Sequence, residues 1–312
     1  MKRMLLGRLA ALVPTVLLAS FVVFMLIQLA PGDPSITLAG ENATAERIEE
    51  IRRGLGLDRS LIEQYLTWLS HAVRGDLGKS IITQESIAAA IGRTLPITLQ
   101  LVFGALVVAI VFGVIAGVAS ARRADTATDA VIASVSSAGA AMPSFWLGLV
   151  LVSIFALGLD WLPATGFVSL AADPVRALRH LVLPSVALGA VGAAEIARQL
   201  RGVLIEILAS DYIRTLRAKG LSESRIVWIH ALRGAAVPLV TIIGLQVSRL
   251  LGATVVVEAV FGIQGIGTLV VSAANNRDYY VVEGVVVVMA LIVILVNFAV
   301  DVSYRISDPR IR

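Results

Sequence analysis

Cysteine is absent from this sequence, which excludes a disulfide-rich secreted scaffold. The histidines number three, His71, His180 and His230, too scattered to form a metal-ligand cluster without cysteine. No Ser/His/Asp arrangement is present either, so the chain offers nothing as an enzyme and calls for no cofactor. Charge is scarce as well: Asp, Glu, Lys and Arg make up 15% of the 312 residues, against roughly a quarter in an average soluble domain. What fills the gap is apolar. Hydrophobic residues reach 57%, and the mean hydropathy is +0.87. A fold of this size cannot make a polar shell from such material, and the chain is expected in a lipid bilayer. The net charge of +4 and the pI near 9.7 invite a nucleic-acid reading. Most Lys and Arg sit between apolar runs, the pattern that sets membrane topology, so nucleic acid is not an expected partner.

A helix crossing the hydrocarbon core needs about 20 mostly apolar residues. Three stretches without internal charge qualify, Leu9 to Gly32, Thr94 to Ala121 and Ala130 to Leu159. The first exceeds the roughly 7–15 residues of a signal core and runs into Pro31-Gly32-Asp33-Pro34, so it reads as a retained span. Three further stretches carry or touch charge: one from Leu181 with Glu195 and Arg198, one from Ala235 to Val257 with Arg249, and one from Val281 to Val302 with Glu283 and Asp301. The expectation is an all-α membrane protein of six spans, at about 9–30, 96–119, 130–156, 181–200, 236–257 and 281–302. Pro143 predicts a kink in the third, since proline removes a helix hydrogen bond.

Basic residues set the orientation. Lys2, Arg3, Arg8, Arg122, Arg123, the seven between Arg198 and Arg233, and Arg305, Arg310 and Arg312 all fall on one side if both termini are cytoplasmic. Arg176, Arg179 and Arg277 fall outside, and Arg176 with Arg179 runs mildly against the rule. Seven more lie in the long loop 33–93, which crosses largely regardless of charge. Within that loop, Ala45 to Arg53 predicts a short helix capped by Thr44 and stopped by Gly54 and Gly56. Ser60 to Val73 predicts an amphipathic helix with Leu61, Tyr65, Leu69 and Ala72 on one face. Such a helix either lies on the membrane or on other loops, or offers a docking surface to an extracytoplasmic partner. Gly75-Asp76-Leu77-Gly78-Lys79-Ser80 imitates the end of a phosphate-binding loop, but the required first glycine is replaced by Val73.

Between the fourth and fifth spans, residues 201–233 form a basic segment much longer than a bundle needs between neighbours. Arg217-Ala218-Lys219-Gly220 suits a helix end with Gly220 as left-handed cap, and Ser222 can cap the next helix, with Arg225 and Trp228 one turn apart. Two readings remain open on physics alone: a rigid projection inserted in a partner's groove, or an interfacial helix drawn to anionic lipid.

The string from Asp211 to Leu221 resembles the cytoplasmic loop of ABC-transporter importer permeases, in particular the dipeptide/oligopeptide/nickel group, whose usual wording is D-Y-I-R-T-A-R-A-K-G-L. Asp211 through Thr215 and Arg217 through Leu221 match; Leu216 stands where alanine is usual, and the Glu of the wider motif is absent. Pro31-Gly32-Asp33-Pro34, Gly75-Asp76-Leu77-Gly78, Pro143-Ser144-Phe145-Trp146-Leu147-Gly148, the run from Glu258 to Gly267 (with Gln264 where proline is common), Arg277-Asp278 and Asp308-Pro309-Arg310 match the same group in order. The chain looks most like the B-type permease, which carries the long external loop. The resemblance implies a type I importer architecture in a bacterial or archaeal cytoplasmic membrane. It also implies a homologous second permease, two cytoplasmic ATPase subunits, an extracytoplasmic substrate-binding protein and a peptide cargo, with nickel chelates or other small solutes as the alternative. Arg217, Ala218, Lys219, Gly220, Leu221, Ser222, Glu223 and Arg225 become the expected contact with an ATPase.

Gln246 and Arg249 form a polar stripe about 20 Å up the fifth span at 1.5 Å per residue. They either line the translocation cavity, where Arg249 meets a peptide carboxylate, or satisfy an internal partner such as Glu195. Gly113-x-x-x-Gly117, Gly244 and Gly252 suggest close helix packing. Two rival classes are a secondary transporter driven by an ion gradient, which leaves the basic loop unexplained, and a membrane scaffold or receptor subunit whose loop binds a partner without nucleotide-dependent motion.

Overall fold

The computed structural model describes residues 2–28, 34–40, 43–54 and 56–307. Among them the regular elements are helices, and a lone antiparallel bridge joins Lys79 to Ser86. The first helix, α1, covers Lys2–Gln28; three short helices follow, α2 (Pro34–Ala39), α3 (Ala45–Gly54) and α4 (Leu61–Ala72). Then come α5 (Ile87–Arg122), α6 (Ala127–Ala141), α7 (Ser144–Leu151) with a π-helical continuation Val152–Gly158, and α8 (Pro174–Leu208). Beyond these lie α9 (Asp211–Ala218), α10 (Glu223–Arg225), a π-helical turn Ile226–Ala231, α11 (Leu232–Gly234), α12 (Ala236–Phe261), α13 (Ile266–Asn275) and α14 (Tyr279–Ser307). Pro31, Gly32 and Asp33 of the first matching motif, and Asp308-Pro309-Arg310 with Arg312 at the end, lie outside the described residues.

Among the described residues, four helical stretches are long and apolar enough to cross a bilayer: Ile87–Arg122, Pro174–Leu208, Ala236–Phe261 and Tyr279–Val300. The expected third span is not one kinked helix but two, bent by 102°. The break has a local cause. Proline disfavours helical backbone at the residue before it, and Met142 is extended at φ −81°, ψ 128°, while Pro143 sits as N-cap of α7. Counted as one span, the pair raises the total to five among the described residues. The remaining expected span coincides with α1, whose apolar stretch Val13–Met25 is by itself shorter than a span. The long helices also overrun their expected bounds, α5 starting at Ile87 and α8 at Pro174, where Asp173 caps the first turn through Val175 and Arg176.

The chain forms two compact units, Met1–Ile97 with Gln264–Ile294, and Thr98–Ile263 with Leu295–Arg312. In the first, a capping box between Ser60 and Glu63 starts α4. Tyr65, on the inner face of that helix, donates to the Leu17 carbonyl at 3.1 Å, lies 2.9 Å from the Ser20 hydroxyl, and packs against the rings of Phe21 and Phe24. The amphipathic helix thus rests on α1, with Leu61 left exposed. A second apolar cluster joins Ile87 and Ile91 of α5 to Ile266 and Ala273 of α13 and Val281 and Val285 of α14. Asp278 secures it from the polar side: the Ser80 hydroxyl donates to its carboxylate at 2.5 Å. The imitation phosphate loop is a turn, in which the Asp76 carboxylate accepts from the Gly78 amide at 3.0 Å.

In the second unit α8 is the central helix. Close backbone approach explains the glycines. A Cβ added at Gly113 would stand 2.7 Å from Ile196 Cβ, and one at Gly117 would stand 2.9 Å from the Ala197 carbonyl. Gly148 of α7 accepts the Phe261 ring of α12 in the same way, while a Cβ added at Gly252 would meet nothing within 4 Å among the described residues.

Candidate functional site

The segment from Asp211 to Gly234 folds as a helical hairpin with a buried root and an exposed tip. The helical period of α9 puts Ile213 inside, fully buried, and the following turn buries Ile226, Val227 and Ala231. Val227, Ala231 and Ala235 join Val118 and Ala121 of α5 and Leu200 and Leu204 of α8 in one apolar cluster. The hairpin is therefore seated on the ends of two long helices. Its tip is exposed at Ala218, Lys219, Gly220, Ser222, Glu223 and Arg225, with Leu221 half-buried.

The turn at the tip follows from Gly220. Its φ of +78° lies in the left-handed region, and the Leu221 amide reaches back to the Leu216 carbonyl at 3.3 Å while the Gly220 amide donates to Arg217 at 2.9 Å. Ser222 takes the N-cap position, yet its hydroxyl makes no capping bond, contrary to the sequence expectation. The tip is pinned instead by an ion pair: Arg217 Nε donates to Glu223 Oε1 at 2.7 Å. The Arg217 guanidinium holds the Glu223 carboxyl below its usual range. On the flank, the Tyr212 hydroxyl lies 3.1 Å from His230 Nδ1, and Tyr212, Trp228 and Ile229 expose about half their surface each. Exposed aromatic and apolar groups around basic residues suit a protein groove.

The second expected site gathers on Glu195 of α8. Its carboxylate accepts from Gln246 at 2.5 Å and also pairs with Arg249, so the polar stripe of α12 and the charge in α8 answer each other. Gln246 is 3% exposed; the Arg249 side chain remains 59% exposed. Two further polar nodes had no sequence-based expectation. Asp129, 5% exposed near the start of α6, accepts two bonds from Arg201 of α8, a bond from the Ser120 hydroxyl of α5 and the Asp125 amide, tying three helices together. Glu258 of α12, fully buried, accepts from the Thr98 hydroxyl of α5 at 2.6 Å. The available signal was the rarity of carboxylates in or beside apolar runs; their partners lie too far along the chain to be read.

Comparison with known proteins agrees with this architecture. Residues 109–312 match the family described as binding-protein-dependent transport system inner membrane component, and residues 1–102 match the N-terminal family of the same systems. The di/tripeptide transport system permease protein DppB of Pseudomonas aeruginosa (strain UCBPP-PA14) is 39% identical, over 98% of this chain and 97% of its own. The glutathione transport system permease protein GsiC of Escherichia coli O6:H1 is 40% identical, over 98% and 97%. Among solved structures, the inward-facing MetNI methionine ABC transporter superposes with a TM-score of 0.58 at 21% identity, covering 70% of this chain and 96% of the chain matched, which speaks for the fold. Helices, glycine contacts and full-length relatives agree, and the chain belongs to the family of binding-protein-dependent transport system inner membrane components, a permease of the ABC importer type.

Proposed function

We propose that the chain is the pore-forming permease subunit of an ATP-driven importer of di- and oligopeptides. The observation that carries this is identity near 40% along the whole chain with permeases named for di/tripeptide and glutathione transport. In this reading the chain crosses the membrane six times, α1 and the broken α6–α7 pair each counting as one span, with both termini in the cytoplasm. It works with a homologous second permease, two cytoplasmic ATPase subunits and an extracytoplasmic binding protein.

The hairpin tip, from Arg217 to Arg225, is the contact with an ATPase. ATP shifts a two-state body only through contacts that differ between its states. A stiff tip on a root packed against α5 and α8 carries such a shift into the spans. Arg249, half open to its surroundings, faces the translocation path, and Gln246 holds the Glu195 carboxylate behind it. The test is uptake of labelled peptides by the reconstituted complex. Replacing Gly220 by proline, whose φ is locked near −65°, should abolish uptake and substrate-stimulated ATP hydrolysis while the complex still assembles. Normal transport by that variant would remove the hairpin from the coupling path, and uptake without ATPase subunits would point to an ion-driven carrier.

A further inference from the structure

Within the first unit lies a cavity of about 550 Å³, inside the range of small-molecule sites. Its wall carries Glu283 of α14, Arg59 before α4 and Lys79 after the glycine turn, with Trp68 and Tyr280 as aromatic surfaces. Glu283 is 3% exposed, and its Oε1 has no hydrogen-bond partner among the described residues. Removing a carboxylate oxygen from water without a donor is costly, and a native structure seldom leaves one so. None of the bonds of the proposed transport path involves this group.

A ligand with an ammonium group meets the need of Glu283 directly, by charge-assisted hydrogen bonding, and the rings of Trp68 and Tyr280 in the same lining favour a cation. Arg59 and Lys79 supply the opposite preference on the same wall. Cation and carboxylate on one cavity select a zwitterion, and the volume admits a short peptide. We propose that this cavity is a binding site for short peptides with free amino and carboxyl ends, built by this chain itself and not by the binding protein. The inference rests on the reading of the chain as a peptide importer.

The test uses the membrane-embedded assembly of permeases and ATPases in lipid nanodiscs, without binding protein, and tritiated Ala-Leu as the probe. Saturable binding is expected, with N-acetyl-Ala-Leu competing at least tenfold less well. Glu283→Gln should raise the Kd for Ala-Leu at least tenfold with an unchanged melting profile, since the amide keeps the shape and loses the charge. Equal binding by Glu283→Gln, or equal competition by the acetylated peptide on the unaltered protein, overturns the proposal. The second comparison holds even if the variant fails to assemble. Absent binding, alongside binding-protein-dependent uptake of Ala-Leu, overturns the cavity alone and leaves the importer reading standing. If no member of a di- to pentapeptide set is taken up, the importer reading fails and the cavity inference falls with it.

Discussion

Arg249 shows how a charge is held in an apolar helix. On insertion scales an arginine at the bilayer centre costs about 2.5–3.5 kcal/mol, so it needs protein or water around it. Here the protein supplies a carboxylate partner in Glu195, and the rest of the side chain is exposed on this chain. Replacing Arg249 by Glu should sharply lower assembly and melting temperature, because two carboxylates then face each other, and Glu195→Arg in the same chain should restore both. Thermal unfolding of the purified complex reads this directly. At the hairpin tip, the Glu223 carboxyl is depressed by Arg217. Its contribution is complete above the ordinary glutamate range and disappears only as pH falls through the lowered value. The protection factors of residues 217–225, which remove the intrinsic pH dependence of amide exchange, should therefore stay flat between about pH 6 and 8, fall under more acid conditions, and lose that acid step in Glu223→Gln. Legibility at this scale was uneven. Gly220 was readable, since few residues other than glycine take φ of +78° to end a helix. The missing bond of Ser222 was not, because the Arg217–Glu223 pair holds the turn without it.

Helices meet where their backbones approach, and two contacts can be weighed. Gly113→Val would drive methyl groups into Ile196 and the Ala193 carbonyl, an overpacking that typically costs about 1–3 kcal/mol. The outcome should be a lower melting temperature of the complex, with Gly252→Ala, whose added Cβ meets none of the described residues within 4 Å, close to neutral. The root of the hairpin is the second contact. Ile226 is fully buried, and shortening such a residue to alanine costs about 2–5 kcal/mol in a packed core. Ile226→Ala should loosen the hairpin without altering its exposed tip, so that ATP hydrolysis continues while its stimulation by substrate falls. Residues 211–234 should then exchange amide hydrogen faster. Sequence periodicity finds these helices but not the break at Pro143. A proline within an apolar run interrupts the helix locally but leaves the angle between the two pieces open; here α7 turns away by 102° and lays Gly148 against Phe261.

On the scale of the whole molecule, the proposed topology is open to a clean measurement because the chain holds no cysteine. A single cysteine at Lys219 should react with an impermeant maleimide only in inverted vesicles, and one at Asp58 only in intact spheroplasts. The reverse labelling would turn the orientation over. Composition alone decided that this protein belongs in a bilayer: an apolar majority with 15% charge cannot clothe a soluble fold. Local pattern decided where helices run and that a helical hairpin interrupts them at Gly220, since propensity, caps and apolar runs act over a few residues. What joins to what was left to the tertiary structure. Ser80 finds Asp278 across 198 positions and Arg201 finds Asp129 across 72, and in each case the partner is chosen by how the helices close on one another. The physical reason is range: a helix forms through bonds four residues apart, whereas a buried charge is satisfied by whichever group the finished packing brings within 3 Å.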